Sequence, residues 1–417
     1  MPLHCPARHL LLPAMAGLAA LWLALPAQAR GYVPQGRCGD YARVAITSPA
    51  GTCVALVADE AQGLRFPRRL LEVAPGRFWI IDMGSWEPRR GRLLEMVLPT
   101  TGTAPRRAAV TMLADRLDRP HGLARGPDGR IYIGEAGTVW RTPVRAAGQP
   151  PQRETVLDSL PTDGAHPLKE LAFGPDGQLY ISVGSFSDAC RNDRQQQPLP
   201  CPELGDPQPR AAVYRATLGG PQQPVQELRP FATGLRNSVA LAVLPVGPAG
   251  GTVLQGENSI DYPDAKAPAE ELNHLQAGRH YGWPYCVGAR IAARGYEKRY
   301  DCSRTEAPLA LWPAHAAPLH LLHGPAGTPF AGQLLAAWHG QRPGGHRVVG
   351  FALNAQGQPA REPTLWMSGW EAKAAVRPQG RPTGLAIDHR GHLLVVEDFN
   401  RTVLMLLPTA ASPAPTP

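Results

Sequence analysis

The feature that most constrains this chain is a strand–turn–strand unit that returns along most of its length. It stands as LEVAPGRFWIIDMGS at Leu71–Ser85, GLARGPDGRIYIGEAGTVWRT at Gly122–Thr142 and ELAFGPDGQLYISVGS at Glu170–Ser185. It returns as VALAVLPVGPAGGTVLQGEN at Val239–Asn258 and GLAIDHRGHLLVVEDFNRTVLML at Gly384–Leu406, with a less regular copy at Gly332–Leu353. Each copy has a short apolar strand, a Gly/Asp/Pro turn and a second apolar strand, often followed by an outer third. Such a unit cannot bury both of its faces alone, so the copies must stack on one another. Unequal spacing, roughly 50 to 95 residues, fits repeats joined by loops of variable length. Six copies predict an all-β fold, a six-bladed β-propeller with four-stranded blades around an axial channel. A sandwich or a parallel β-helix is the competing architecture. No long helical periodicity supports anything else.

Composition agrees with a turn-rich β protein. Pro and Gly number 46 and 44 of 417 residues, and charged residues make up 18%. These residues punctuate apolar strands throughout and do not gather into one low-complexity block. Residues 1–29 read as a cleaved export signal: Arg8, an apolar run from Leu10 to Leu25, then Ala27-Gln28-Ala29. The run is short for a membrane span, so no stable membrane insertion is expected after cleavage. A periplasmic or secreted location follows. Residues 30–407 are expected to form the propeller. The Pro/Ala/Thr-rich tail 408–417 cannot bury a core and is expected to be disordered.

Past the signal, six cysteines remain, in three sequence-local couples. In an exported chain this predicts bridges Cys38–Cys53, Cys190–Cys201 and Cys286–Cys302. Closing a loop of such length is worth about 3 kcal/mol in the chain-entropy model. The absence of C-x-x-C-H excludes an attached c-type haem. A net charge of +8 without basic runs interleaved with aromatics excludes nucleic acid as a partner. It leaves a mild preference for anionic ligands.

A propeller's ligand site usually lies at one end of the axial channel, built from loops of different blades. His121, His166, Arg236 with Asn237, His339 and Arg381 each lie before or within the leading strand of a different copy. His166 can take a proton at neutral pH. A histidine ahead of a strand is, by itself, more often structural. Arg236-Asn237 offers a planar cationic fork beside a neutral donor and acceptor, suited to a carboxylate or a developing oxyanion. The same arginine could equally fix a loop through carbonyls, and Arg381 has the same two readings. The segment Gly256–Cys286 is dense in oxygen donors and could hold a hard cation, although it has no EF-hand spacing.

Four motifs in blade order give the chain a resemblance to the glucose/sorbosone dehydrogenase family, six-bladed propellers that use pyrroloquinoline quinone (PQQ) and calcium. They are His166 eight residues ahead of Gly174-Pro175-Asp176-Gly177, and Gly234-Leu235-Arg236-Asn237. The third is Glu271-Leu272-Asn273 followed by Tyr281-Gly282-Trp283-Pro284, and the fourth is Arg381 to Ala386 in R-P-x-G-L-A. The resemblance implies that His166 is the base removing a hydroxyl proton as hydride leaves a sugar carbon. It implies that Arg236 stabilises the reduced cofactor's oxygen, and that His121, Asn237, His339 and Arg381 contact the cofactor. It places calcium near Ser259, Ile260 and Asp261. The expected partners are a small sugar and an external electron acceptor, a quinone or a separate carrier.

The chain also departs from that pattern. Ser185 stands where glucose-oxidising members have an aspartate that orients the histidine, with Asp188 the nearby substitute. His339 stands in place of a lysine, as in the sorbosone-type branch. Gln379 stands where a second arginine is expected, and His121 where glutamine is common. These departures keep two alternatives open: a calcium-dependent propeller lactonase or esterase, and a non-catalytic propeller that has lost the site.

Overall fold

The computed structural model describes residues 32–409 apart from 193, 206, 221–223, 247–250 and 371–379. The export signal, most of the tail and Gln379 therefore lie outside the described residues. Among the described residues there is no α-helix, and three short 3₁₀ turns are the helical content.

Six sheets form the expected propeller. The first blade is built from Pro67–Ala74, Arg77–Asp82, Gly91–Val97 and Ala109–Leu117. The second uses Gly122–Arg125, Ile131–Gly134, Val139–Thr142 and Glu154–Leu157. The third uses Leu171–Phe173, Leu179–Val183, Ala212–Leu218 and Val225–Thr233. The fourth has Ala240–Leu244, Thr252–Glu257, Glu270–Leu275 and Ala310–Trp312. The fifth has Pro318–His323, Gln333–Trp338, Arg347–Ala352 and Thr364–Met367. The sixth pairs Pro382–Ile387, Leu393–Glu397 and Thr402–Pro408 with Thr52–Ala58 from the start of the chain. That pairing closes the ring by joining its two ends within one sheet, and Tyr41–Val44 and Arg37–Cys38 extend the same sheet outward from Thr52–Ala58.

The six repeats fall one to a blade. The less regular copy supplies the second and third strands of the fifth blade, whose leading strand is the preceding Pro318–His323. His339 therefore follows a second strand and does not sit in a leading one. The last strand runs to Pro408, and the Thr409 N–H bonds the Gly51 carbonyl at 2.8 Å, so ordered pairing continues past residue 407.

Packing follows the stacking logic of the sequence. Second strands such as Ile131–Gly134 and Leu393–Glu397 are buried at every position because a neighbouring blade covers each face. One apolar cluster fills each of the six gaps between blades. Tyr132, Leu171 and Ile181 meet between blades two and three, for example, and Leu335, Leu385 and Val395 between five and six. The three disulfides form as paired in the sequence, with Cα–Cα distances of 5.7, 6.2 and 5.9 Å.

A charged hub replaces apolar packing on the axis. Arg69 of the first blade, 1% exposed, pairs with Glu170 of the third. Its Nη2 lies 2.8 Å from His121 Nε2 at the second blade and donates to the Val239 carbonyl at the fourth at 2.8 Å. It also donates to the carbonyls of Leu319 in the fifth blade and, through Nη1, Thr383 in the sixth. One guanidinium thus touches all five other blades.

Candidate active site

Chain direction places the site. In every blade the start of the first strand and the end of the second lie at the same end of the axis, because the two strands are antiparallel. His166 precedes a first strand, Arg236 and Arg381 do likewise, and Asn258, His339 and Asp398 follow second strands. A cleft of about 710 Å³ opens there, and His166, Arg236, Asn237, Ser259, Asp261, His339 and Arg381 line it. Two expected residues do not reach it. His121 is fully buried behind it, beside Arg69 and Arg68. The Ile260 side chain packs into an apolar cluster with Trp283 and Tyr285.

His166 is held in one tautomer. Its Nδ1 lies 2.9 Å from Ser185 Oγ and 3.1 Å from the Ser185 carbonyl. The serine hydroxyl spends its proton on the Ser187 carbonyl at 2.6 Å, so both groups facing Nδ1 are acceptors and Nδ1 carries hydrogen. The Nε2 lone pair then has no donor among the described residues. Gly184 makes this fit possible: a Cβ there would come within 2.4 Å of His166 Cβ. Burial first, and then the Arg236 charge, push the ring down to about 3, so it is neutral across the physiological range. The Ser185 N–H donates to the Arg236 carbonyl at 2.8 Å, which fixes the base and the arginine to one another.

Arg236 lies two residues after Gly234, where both the backbone and the space require glycine. The φ of Gly234 is +74°, and a Cβ there would stand 2.6 Å from the His280 ring. The Arg236 backbone N–H donates to Glu257 at 2.6 Å. Its guanidinium meets Asp188 at 2.8 Å, Asp261 at 2.9 Å and the Asn258 carbonyl at 2.9 Å. Asp188 and Asp261 are 41% and 77% exposed, so water or a ligand can compete for this arginine. The disulfide-rich loops buttress it from behind: Trp283 Nε1 donates to the Asp188 carbonyl at 2.8 Å, and Cys190, Cys201, Cys286 and Cys302 share one cluster with Trp283.

On the opposite wall Asp398 bridges two groups, the Arg68 guanidinium at 2.6 Å and the His339 ring at 3.0 Å. Burial lowers His339, while the same partners outweigh burial on Asp398 and hold its carboxyl below the usual range. Arg381 Nε reaches the His339 carbonyl at 3.4 Å. Its two Nη groups carry no hydrogen bond among the described residues. Arg342, also in the lining, donates to the Asp264 carbonyl at 2.9 Å.

The donor set suits a planar polyanion. Three arginines and three histidines line a cleft large enough for a tricyclic group, and Arg381 keeps spare donors. Oxygens for a cation are also present. The Ser259 carbonyl carries no hydrogen bond among the described residues, and the Ile260 carbonyl has spent one lone pair on Tyr262 N–H at 3.0 Å. The Asp261 carboxylate is shared with Arg236.

Sequence reasoning missed Arg68, Asp398 and a recurring acid. Asp82, Glu135, Glu257 and Glu397 close the second strands of four blades. Each accepts backbone N–H groups of the segment leading into its own blade, as Asp82 does from Arg65 and Phe66 at 2.8 and 3.0 Å. The signal was present as an acid ending an apolar run in IID, YIGE, LQGE and VVE.

The repeated blades and the cleft at one end of their axis define the class: a six-bladed propeller with the fold of PQQ-dependent sugar dehydrogenases. The calcium structure of Trichoderma reesei carbohydrate-active enzyme family AA12 is 20% identical with a TM-score of 0.68, over 88% of this chain and 98% of that one. The holo pyranose dehydrogenase PQQ domain of Coprinopsis cinerea is 20% identical at a TM-score of 0.67, over 90% and 98%. The soluble aldose sugar dehydrogenase of Escherichia coli is 17% identical at 0.59, over 86% and 99%. At these identities the likeness establishes the fold. No protein-family model matches the sequence. An uncharacterized protein of Borreliella burgdorferi is 24% identical over 182 residues, 41% of this chain and 47% of that one. The chain thus spans about half the length of the curated relative it matches.

Proposed function

We propose that this chain is a periplasmic, PQQ- and calcium-dependent oxidoreductase that oxidises an aldose or sorbosone-type sugar and passes the electrons to a separate acceptor. The observation that carries the reading is the pairing of a single-tautomer base with an arginine fork across one cleft: His166 with a free Nε2, and Arg236 joined to it through Ser185. Export is supported by the Ala27-Gln28-Ala29 signal and the three disulfides.

PQQ, when bound, supplies the acceptor for hydride from the sugar carbon. Arg236, Asn237, His339 and Arg381 would hold it, with Arg342 as a further cation at the rim. His121 would act at one remove, by positioning Arg68 and Arg69. Ser259, Ile260 and Asp261 would hold calcium through two carbonyls and a carboxylate. His166 Nε2 takes the hydroxyl proton. An anion on Arg236 screens the charge that depresses the ring, and so raises its basicity when the cleft is filled.

The test is reconstitution. Purified protein given PQQ and Ca²⁺ is expected to reduce an artificial dye with at least one of a panel of aldoses, and to bind PQQ calorimetrically. No dye reduction together with no PQQ binding overturns the reading.

A further inference from the structure

A second groove, of about 760 Å³, lies on the first blade and is lined by Arg65, Arg89, Arg90, Arg92 and Arg116. It opens on the same face of the ring as the cleft. Arg65 precedes a first strand, and residues 83–90 follow a second strand, the positions that build the cleft in blades three to six. Against five arginines the lining sets two carboxylates, Glu87 and Asp115. Glu87 is spent on Arg90 at 3.2 Å, and Arg92 on the buried Asp82 at 2.8 Å. The Arg65, Arg89 and Arg116 side chains have no acidic partner among the described residues. Arg89 and Arg116 also hold left-handed backbones, φ 59° and 56°, which cost an L residue free energy and are retained at only a minority of positions. Two large apolar side chains stand exposed in this region, Trp86 at 55% and Met112 at 54%.

Packed groups connect this surface to the cleft without a break. The Trp86 ring meets Phe66 edge-on with centroids 6.4 Å apart, and the Arg68 guanidinium lies 5.4 Å from the Phe66 centroid. Arg68 bonds Asp398 at 2.6 Å, and Asp398 bonds His339, which lines the cleft, at 3.0 Å. Asp82 holds the outer end rigid by accepting the N–H groups of Arg65, Phe66 and Gly84 at 2.8, 3.0 and 2.9 Å.

We propose that the groove is the docking surface for an acidic one-electron carrier protein, reached from the cleft along His339, Asp398, Arg68, Phe66 and Trp86. The inference rests on the sugar-oxidation reading for the source of its electrons. Oxidising a carbinol to a carbonyl releases two electrons and two protons. Two successive carriers each leave reduced by one electron, and the protons leave through His166 to solvent. Arginines lining a groove, three of them without an acidic partner among the described residues, give a partner with surface carboxylates a fast, salt-sensitive encounter.

The test has a binding arm that needs no activity. The cofactor-free chain is titrated with an oxidised acidic c-type cytochrome, with a basic cytochrome as control. Wild type is expected to bind the acidic protein alone, more weakly as salt rises. R89E/R90E/R116E is expected to lose at least about tenfold in affinity with its melting temperature unchanged. In the loaded protein the same variant is expected to reduce a small dye at the wild-type rate and the cytochrome at least about tenfold more slowly. Trp86→Leu is expected to bind normally and transfer more slowly at saturating cytochrome. A wild type that does not bind, or a reversed variant that binds as well as wild type, overturns the docking surface. An unchanged transfer rate in Trp86→Leu overturns the route. Charge-sensitive binding without dye reduction and without PQQ binding leaves the docking surface standing and refutes the sugar-oxidation reading.

Discussion

Arg69 and Arg236 lie near the same end of one channel, and both are buried and paired with carboxylates, yet they do opposite work. The partner of Arg69, Glu170, is 2% exposed, and the remaining donors of Arg69 are spent on the neighbouring Arg68 carbonyl and on carbonyls of three other blades. The partners of Arg236 are 41% and 77% exposed. A charge whose counterions are sealed from water cannot exchange them, because parting a buried pair leaves an uncompensated ion. A charge whose counterions face solvent can trade them for a ligand at little cost, since exposed pairs are worth about 0–1 kcal/mol. The two arginines teach that the exposure of the counterion, more than that of the arginine itself, separates a rivet from a receptor.

Substitution at the two positions should therefore part company. Arg69→Met is expected to cost about 3–5 kcal/mol of stability, because it strands Glu170 and frees carbonyls from three blades. Adding Glu170→Gln should return part of that loss, and denaturant midpoints measure both. Arg236→Met is expected to cost only about 1–2 kcal/mol of stability, for two lost bonds to the carbonyls of Asp188 and Asn258 and two exposed acids that rehydrate. In the reconstituted protein it should lower sugar-dependent dye reduction by about 10²–10³, the usual penalty for removing a charge-stabilising donor. If stability and activity fall alike in both variants, the contrast drawn from counterion exposure is wrong.

The sequence carried this contrast only in part. Six repeats were legible because the unit is local: a Gly-Pro-Asp-Gly turn between apolar strands announces itself at Gly126–Gly129 and Gly174–Gly177. The fifth blade was read one strand out of register because its first turn, near Pro325–Thr328, is longer and lacks that signature. The disulfides were legible because each joins near neighbours in sequence. Of the site, His166, Arg236, His339 and Arg381 were legible as polar residues flanking strands of separate repeats, and the cleft does gather them. Arg69 was not, since an arginine inside a strand reads as a solvent-facing residue until six blades are closed around it. His121 fails for the same reason: it stands before a leading strand as His166 does, but the hub lies between it and the opening.

Acid sharpens the comparison further. Burial lowers His320 to about 3, and burial with Arg236 lowers His166 to about 3. For a histidine depressed in the folded state, the stabilising contribution is complete above the unfolded value of about 6.5 and drains away as pH falls from there towards 3. Each is expected to cost up to about 1.4 kcal/mol per pH unit across that window. Melting temperature should drop below pH 6.5, and His320→Gln, which keeps an acceptor for the Leu385 N–H now bonded at 3.0 Å, should flatten that limb. His166→Gln should flatten it less when an anion fills the cleft, since the ring is then less depressed. Equal effects with and without the anion would mean that Arg236 does not set the proton affinity of His166.

The smallest change is the most pointed. Ser185 gives His166 an acceptor without a charge, through an oxygen whose proton is committed to Ser187. Ser185→Asp would place a carboxylate at Nδ1, opposing the Arg236 charge that now depresses the ring, and an opposite charge at such range shifts a pKa by about 1–3 units. The sign is upward for histidine. The acid limb of the pH–rate profile for sugar-dependent dye reduction is therefore expected to move to higher pH by at least about one unit, with the rate above that limb rising as the base strengthens. The new carboxylate is itself buried, since Ser185 is 0% exposed, so its gain depends on pairing with the imidazolium that forms. That dependence gives the control. In a Ser185→Asn chain the shape is kept and the charge is absent, so the limb should stay where it is in the wild type. Movement in both variants would assign the effect to geometry, and movement in neither would sever His166 from the proton transfer altogether.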